Sequence, residues 1–134
     1  MPIGFISIGD YEDFSKVKLC NYGVGPMLIQ RLIVRKTGSD EVLDSALINC
    51  VSDLPDGYVW RDFVESVDGR VVPANGQISL LHYQVTENDV ISEKIRDQIR
   101  EDLAELFITV EYTDVYGRKM ANAFRSLEWF GRNL

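Results

Sequence analysis

Short runs of apolar or alternating residues, separated by turn residues, occupy most of the chain and are typical of β-strands. The clearest run is 14–21, where Val17 and Leu19 alternate with Lys16 and Lys18, so that one strand face is apolar and the other is solvated. The other predicted strands are 3–9, 27–36, 71–72, 77–85, 107–113 and 118–127. About seven short strands with turns roughly ten residues apart predict a β-sandwich, with a small β-barrel as the alternative.

Two segments fit more than one kind of secondary structure. Residues 42–51 suit either a helical stripe or a short strand, and we expect a strand at 46–51. Residues 58–67 are expected to form a short helix, with a bulged strand as the alternative. The apolar residues that share one helical face there are Trp60, Phe63, Val64 and Val67.

One amphipathic α-helix is predicted over residues 88–104. Its apolar side chains recur every three to four positions and its other faces are charged, which is the pattern of a helix packed on a core. The apolar stripe consists of Ile91, Ile95, Ile99, Leu103 and Leu106. Asn88 is the expected N-cap.

Length and composition are those of one ordinary globular domain covering 1–134. The 134 residues are 46% hydrophobic and 26% charged, which excludes a disordered tail and a disulfide-dense miniprotein. The formal net charge of −7 opposes general binding to nucleic acid.

One segment reverses this charge. Residues 14–39 contain no acidic residue but hold five cations, which are Lys16, Lys18, Arg31, Arg35 and Lys36. If the two strands that carry them adjoin, the cations form a positive patch for an anionic ligand or for lipid headgroups. The alternative is that they are only the solvated rows of two strands.

Catalytic and metal-binding patterns are absent from the sequence, and we expect neither a cofactor nor a metal. His82 is the single histidine, inside the strand 77–85, and would be the first residue to test for enzymatic activity. Cys20 and Cys50 have no metal-type spacing and are expected to be free thiols, which favours a reducing compartment. Asp114 is expected to bond to the backbone of its own turn.

No run of residues is apolar enough for a transmembrane helix. Residues 1–5 also lack the basic region and the apolar core of a signal peptide, and they are expected to be a trimmed start within a longer protein.

Two turn motifs carry a resemblance to a protein family. Residues 21–26 read Asn-x-Gly-x-Gly-Pro and residues 112–118 read Tyr-x-Asp-x-Tyr-Gly-Arg, with a further turn at 73–76 before a middle strand. With these motifs the chain resembles a group of uncharacterised bacterial domains. The resemblance implies an immunoglobulin-like β-sandwich, commonly placed after a pair of membrane helices, and it assigns no catalytic residues. The helix at 88–104 is a larger insertion than such a sandwich needs.

Two classes of function follow. The first is a non-enzymatic interaction or structural module with an unknown protein partner, belonging to a membrane-anchored bacterial protein and facing the cytoplasm if anchored, with a homo-oligomer as one form. The second is a ligand-sensing β-barrel that binds an anionic metabolite or nucleotide through residues 14–39.

Overall fold

The computed structural model describes residues 1–133 and contains two antiparallel β-sheets and one α-helix. In chain order the strands are β1 (Gly4–Asp10), β2 (Phe14–Asn21), β3 (Met27–Lys36), β4 (Val42–Asp44), β5 (Asp62–Phe63), β6 (Val71–Val72), β7 (Gln77–Gln84), β8 (Leu106–Thr113) and β9 (Ala123–Ser126). The helix α1 (Val90–Ala104) connects β7 to β8. The first sheet has the order β1-β2-β7-β5, and the second has the order β4-β3-β8-β9 with β6 paired to β3.

Side chains from both sheets meet in one hydrophobic core. Alternate residues of β8 point inward, as the period of two requires, whereas β3 departs from this period after a register shift and buries Leu32, Ile33 and Val34 in succession. Val17, Val34 and Ile108 are fully shielded from solvent. The predicted strands at 3–9, 14–21, 27–36, 71–72, 77–85 and 107–113 are confirmed with small changes at their ends.

The small β-barrel is wrong, because the strands of residues 1–133 form two open sheets. The number of strands was also underestimated, since the described chain has nine, of which β5 and β6 are only two residues long. The predicted strand 118–127 is reduced to β9. Before β9 only an isolated bridge between Thr113 and Lys119 pairs the two arms of the hairpin.

The predicted helix is confirmed, but its N-cap and stripe differ from expectation. Asp89 caps α1 by accepting a hydrogen bond from the backbone N–H of Ser92, while Asn88 lies outside the helix at φ 59°. Ile91 is exposed, and Leu106 belongs to β8. Within residues 1–133 no helix combines the length and the apolar character needed to cross a membrane.

Both ambiguous segments form mostly irregular structure. The expected strand at 46–51 is wrong, since Asp44 Oδ1 accepts bonds from the N–H groups of Ser45 and Ala46 and turns the chain into a 3-10 helix, Leu47–Cys50. The helix expected at 58–67 is also wrong. That segment contains β5 and loops that pack against the core, with Trp60 edge-on to Tyr83 at a centroid distance of 6.0 Å.

Asn21 explains the first turn motif as structural chemistry. Its side chain is fully buried, and Oδ1 accepts from the N–H groups of Ile3 (3.1 Å) and Gly23 (3.0 Å). Its Nδ2 donates to the carbonyls of Gly25 (2.9 Å) and Val72 (3.1 Å). One amide therefore fixes the N-terminus, the 21–25 turn and β6 to each other.

The glycine in the middle of this motif is required by a close backbone approach. A Cβ at Gly23 would lie only 2.3 Å from the carbonyl oxygen of Met1 and 2.5 Å from the nitrogen of Ile3. Any other residue would push the N-terminal segment away from the turn.

Asp114 explains the second motif in the same way. Its carboxylate accepts bonds from the N–H groups of Tyr116 and Arg118, and from Arg118 Nε at 2.6 Å. Burial alone would raise the pKa of Asp114, but the bonds from Arg118 and Tyr116 outweigh it and the pKa is lowered. The predicted turn role of Asp114 is confirmed, and Gly117 adopts φ 77° as a tight turn requires.

Side chains bond to three main-chain groups on the outer edge of β1. The Ile3 carbonyl accepts a hydrogen bond from the N–H group of Tyr22. Since positions that bond to the neighbouring strand alternate along an antiparallel strand, the even-numbered residues of β1 direct their main-chain groups away from β2. Gly4 N–H donates to the Tyr112 hydroxyl at 2.8 Å, Arg125 donates to the Ile6 carbonyl at 3.0 Å, and Arg132 donates to the Asp10 carbonyl at 3.1 Å.

Candidate functional site

The outer face of the first sheet brings three candidate residues together. Lys16 of β2 lies between Gly9 of β1 and His82 of β7. On the far side of His82 lies Asp62 of β5. Residues directly opposite each other in antiparallel strands project on the same side and interact. The sheet therefore places the single imidazole beside the Lys16 ammonium group.

A second row lies one step along the same face. Ser7 faces Lys18, and Lys18 faces Ser79 after a bulge between Val17 and Lys18. Lys18 Nζ donates to Gln77 Oε1 at 3.2 Å. Two ammonium groups, two residues apart on β2, thus line the basic end of the face.

The other end of the face is aromatic. Phe14 precedes Lys16 by two residues on β2, and its ring lies edge-on to His82 with a centroid distance of 5.7 Å. The exposed Tyr11 ring packs on Phe14 at 4.9 Å. Gly9 has no side chain, and a Cβ there would stand 3.1 Å from the Phe14 ring. The absent side chain leaves room beside Lys16.

These residues enclose a surface cleft of about 410 Å³, which is within the range of small-molecule sites. The side chains and main chain that line it belong to Ser7, Ile8, Gly9, Tyr11, Asp13, Phe14, Lys16, Lys18, His82 and Gln84. Two ammonium groups against the single carboxylate of Asp13 give the lining a positive balance. The chain as a whole has the opposite sign, with a formal net charge of −7.

His82 has an unusual environment within this cleft. Its Nε2 atom is shielded from solvent and has no hydrogen-bond partner among residues 1–133, and the same is true of Ser79 Oγ. A buried polar atom without a partner destabilises the folded protein. Burial lowers the pKa of His82 below its usual value, and the charges of Lys16 and Arg61 lower it further. A hydrogen bond with Gln84 and the charge of Asp62 act in the opposite direction.

We expect the pKa of His82 to lie below 6.5, the ordinary value for histidine. Replacing Lys16 by Gln removes one repelling charge and should raise the pKa toward that value. Since the chain has one histidine, a proton NMR titration of the imidazole ring measures it without ambiguity. The matched control Lys36→Gln, made on the second sheet, should leave the pKa unchanged.

The same shift predicts how stability depends on pH. The folded protein binds the His82 proton more weakly than the unfolded chain, so stability is lost as the pH falls below 6.5 toward the lowered pKa. His82→Gln should remove this part of the loss between pH 7 and pH 5. A pKa at or above 6.5 would contradict both expectations.

The turn at the aromatic end of the cleft is held by arginine side chains from the C-terminal half. The buried Asp10 pairs with Arg100 Nε at 2.7 Å and with Arg132 Nη1 at 2.6 Å, and it accepts a bond from Ser15 Oγ. Arg100 also donates to the Tyr11 carbonyl, and Arg96 donates to the Glu12 carbonyl. These contacts position Tyr11 and Phe14 on the cleft.

The remaining cations predicted from the sequence lie elsewhere. Arg31, Arg35 and Lys36 are on β3 in the second sheet, so the two strands do not adjoin and the five cations do not form one patch. Arg31 faces Glu111 of β8. Arg35 and Lys36 line a separate cavity of about 340 Å³ beside the β3–β4 turn.

Cys20 is a buried free thiol and Cys50 a half-buried one, as expected. Burial raises the pKa of Cys50 to about 11, with a further contribution from Asp44, which makes it a poor nucleophile at neutral pH. Among residues 1–133 no three His, Cys, Asp or Glu side chains converge as metal ligands would. Comparison of the chain with family models, curated proteins and solved structures gave no match.

Proposed function

We propose that the protein is a non-enzymatic binding module that takes an anionic ligand on the outer face of its first sheet. The observation that carries this proposal is the cleft whose lining brings Lys16, Lys18 and His82 together. An anion there gains charge-assisted hydrogen bonds, which are roughly twice as strong as neutral ones. Its field also favours the protonated imidazole that burial disfavours.

The scaffold proposed for this module is an immunoglobulin-like β-sandwich. In support, the sheet orders β1-β2-β7-β5 and β4-β3-β8-β9 correspond in sequence order to the A-B-E-D and C′-C-F-G sheets of that fold. With this correspondence α1 is an insertion between strands E and F. The two turn motifs shared with the bacterial domains then serve the scaffold, since Asn21 and Asp114 bond to main-chain groups.

Anion binding is tested by thermal unfolding with inorganic phosphate and with malonate, at constant ionic strength. A ligand at ten times its Kd stabilises the folded state by about 1.4 kcal/mol, which raises Tm by about 5 °C in a domain of this size. The double variant Lys16→Gln/Lys18→Gln should lose about 70% of the shift, which is what a tenfold weaker Kd implies.

The chain offers a matched control for charge alone. Arg31→Gln/Lys36→Gln removes the same number of cations from the second sheet and should leave the anion-induced shift unchanged. Equal losses in the two double variants would show a nonspecific charge effect, and no shift with either anion in the wild-type protein would contradict the proposal.

A second candidate function is the protein-interaction module of a membrane-anchored bacterial protein. In its favour, apolar side chains are exposed together at one end of the molecule, where Met1 and Val24 meet Val115 and Tyr116 around a shared cavity. Val24 is 78% and Tyr116 80% exposed. Contiguous exposed apolar surface is typical of contact sites. This surface is separate from the cleft, so substitutions of Lys16 and Lys18 leave it intact.

A further inference from the structure

The cleft has two chemically different ends, and their order along β2 is fixed by the backbone. Phe14, Lys16 and Lys18 are successive outward residues of one strand, and outward positions two residues apart are separated by about 6.7 Å. The aromatic rings of Tyr11 and Phe14 lie at one end. The ammonium groups of Lys16 and Lys18 occupy the middle and the other end.

From this arrangement we infer that the ligand is an oxyanion joined to a flat apolar body, such as an aryl phosphate or an aromatic carboxylate. The inference rests on the proposed function and deepens it. The oxyanion lies between Lys16, Lys18 and His82, and the flat body lies over Gly9 against the Tyr11–Phe14 wall.

Three features of the wall support a flat body. Tyr11 is 61% exposed although its ring packs on Phe14, so a ligand can cover aromatic surface that now faces water. Gly9 contributes no side chain to the floor at this point, where a Cβ would crowd the Phe14 ring. The lining near the wall also contains Asp13, whose charge disfavours a second anionic group at that end.

The turn that carries the wall is fixed before a ligand arrives. Arg96 and Arg100 bond to the main-chain carbonyls of Glu12 and Tyr11, and Asp10 is paired with two arginines. A wall held in this way loses little conformational entropy when a ligand binds.

The test compares phenyl phosphate, inorganic phosphate and benzyl alcohol, each titrated while the ring signals of His82 are followed by NMR. We expect phenyl phosphate to bind at least ten times more tightly than inorganic phosphate, and benzyl alcohol to bind more weakly than phenyl phosphate by at least the same factor. Equal affinity for phenyl phosphate and inorganic phosphate would overturn the inference and leave the proposed function standing. Binding of neither phosphate would contradict the proposed function itself.

Two variants locate the effect on the wall. Tyr11→Ser/Phe14→Leu should reduce the ratio of the two phosphate affinities to about one. Gly9→Val, which retains both aromatic residues but fills the floor and crowds the Phe14 ring, should also reduce it. The control Phe124→Leu removes an exposed ring that stacks on Phe107 in the second sheet and should keep the full ratio. A ratio that survives in both cleft variants while they remain folded, or that falls equally in the control, would overturn the inference.

Discussion

Replacing Asn21 by Asp is expected to lower the free energy of unfolding by about 4 kcal/mol at pH 7. The new oxygen takes the place of Nδ2, which now donates to the carbonyls of Gly25 and Val72 at 2.9 and 3.1 Å. Two donor bonds become two repulsive contacts, and a charge is placed at a position with no solvent exposure. Urea unfolding of both proteins measures the difference.

The pH dependence of this variant identifies the cause. Burial and the two carbonyls should raise the pKa of the introduced carboxyl group well above its unfolded value, so the penalty is largest at neutral pH. As the pH falls through the raised pKa, the protonated carboxyl can donate a hydrogen bond to one of the carbonyls. The difference in unfolding free energy between the variant and the wild-type protein should then become smaller. The control is Asn75→Asp, because Asn75 is exposed in the adjacent turn, and it should change stability by no more than about 0.5 kcal/mol.

Replacing Asp10 by Ala is expected to lower the free energy of unfolding by about 3 kcal/mol. The Asp10 side chain is 2% exposed and pairs with Arg100 and Arg132, whose side chains are only 16% and 28% exposed. In the variant both guanidinium groups lose this partner and are poorly solvated. The loss should also release the turn that holds Tyr11 and Phe14. Urea unfolding measures the first effect, and the weaker binding of phenyl phosphate measures the second.

Asp97 provides the control for this substitution. It pairs with Arg96 and Arg100 at 3.2 and 3.4 Å, but it is 51% exposed and solvent screens the interaction. Asp97→Ala should cost less than about 0.5 kcal/mol. Similar losses in the two variants would mean that burial does not govern the strength of these ion pairs.

Local pattern was enough to locate the long strands and the helix. The alternation of Val17 and Leu19 with Lys16 and Lys18 determines which face of β2 is buried, and the helical spacing of Ile95, Ile99 and Leu103 does the same for α1. In both cases the packing against the core follows the period of the element. The boundaries of these strands therefore agreed with the expectation to within one residue, except for the strand expected at 118–127, which is shortened to β9.

The irregular segments could not be found in this way, because tertiary contacts decide them. Trp60, Val64 and Val67 match a helical stripe, yet each packs on the core from a loop, and Trp60 does so against Tyr83. The 3-10 helix after Asp44 depends on a side-chain bond to the backbone that competes with strand pairing.

The sequence identified residues of the candidate site but not their arrangement. Lys16 and Lys18 were identified as cations and His82 as the single histidine, but their proximity depends on the pairing of β2 with β7, which are 56 or more residues apart along the chain. Arg31, Arg35 and Lys36 were grouped with the lysines because all five lie in the segment 14–39, which has no acidic residue, but β2 and β3 belong to different sheets. A signal that could have been used is the Phe14, Lys16, Lys18 spacing, which puts an aromatic ring and two cations in one row.

The side chains that bond to the outer edge of β1 have a consequence for the behaviour of the protein at high concentration. A sheet edge with free main-chain groups is a template on which another chain can add as a further strand and start a fibril. Tyr112, Arg125 and Arg132 already bond to three of the groups that such a strand would need. Addition of a further strand along this seven-residue edge would therefore have to break three existing hydrogen bonds, which disfavours growth of ordered aggregates from the native state.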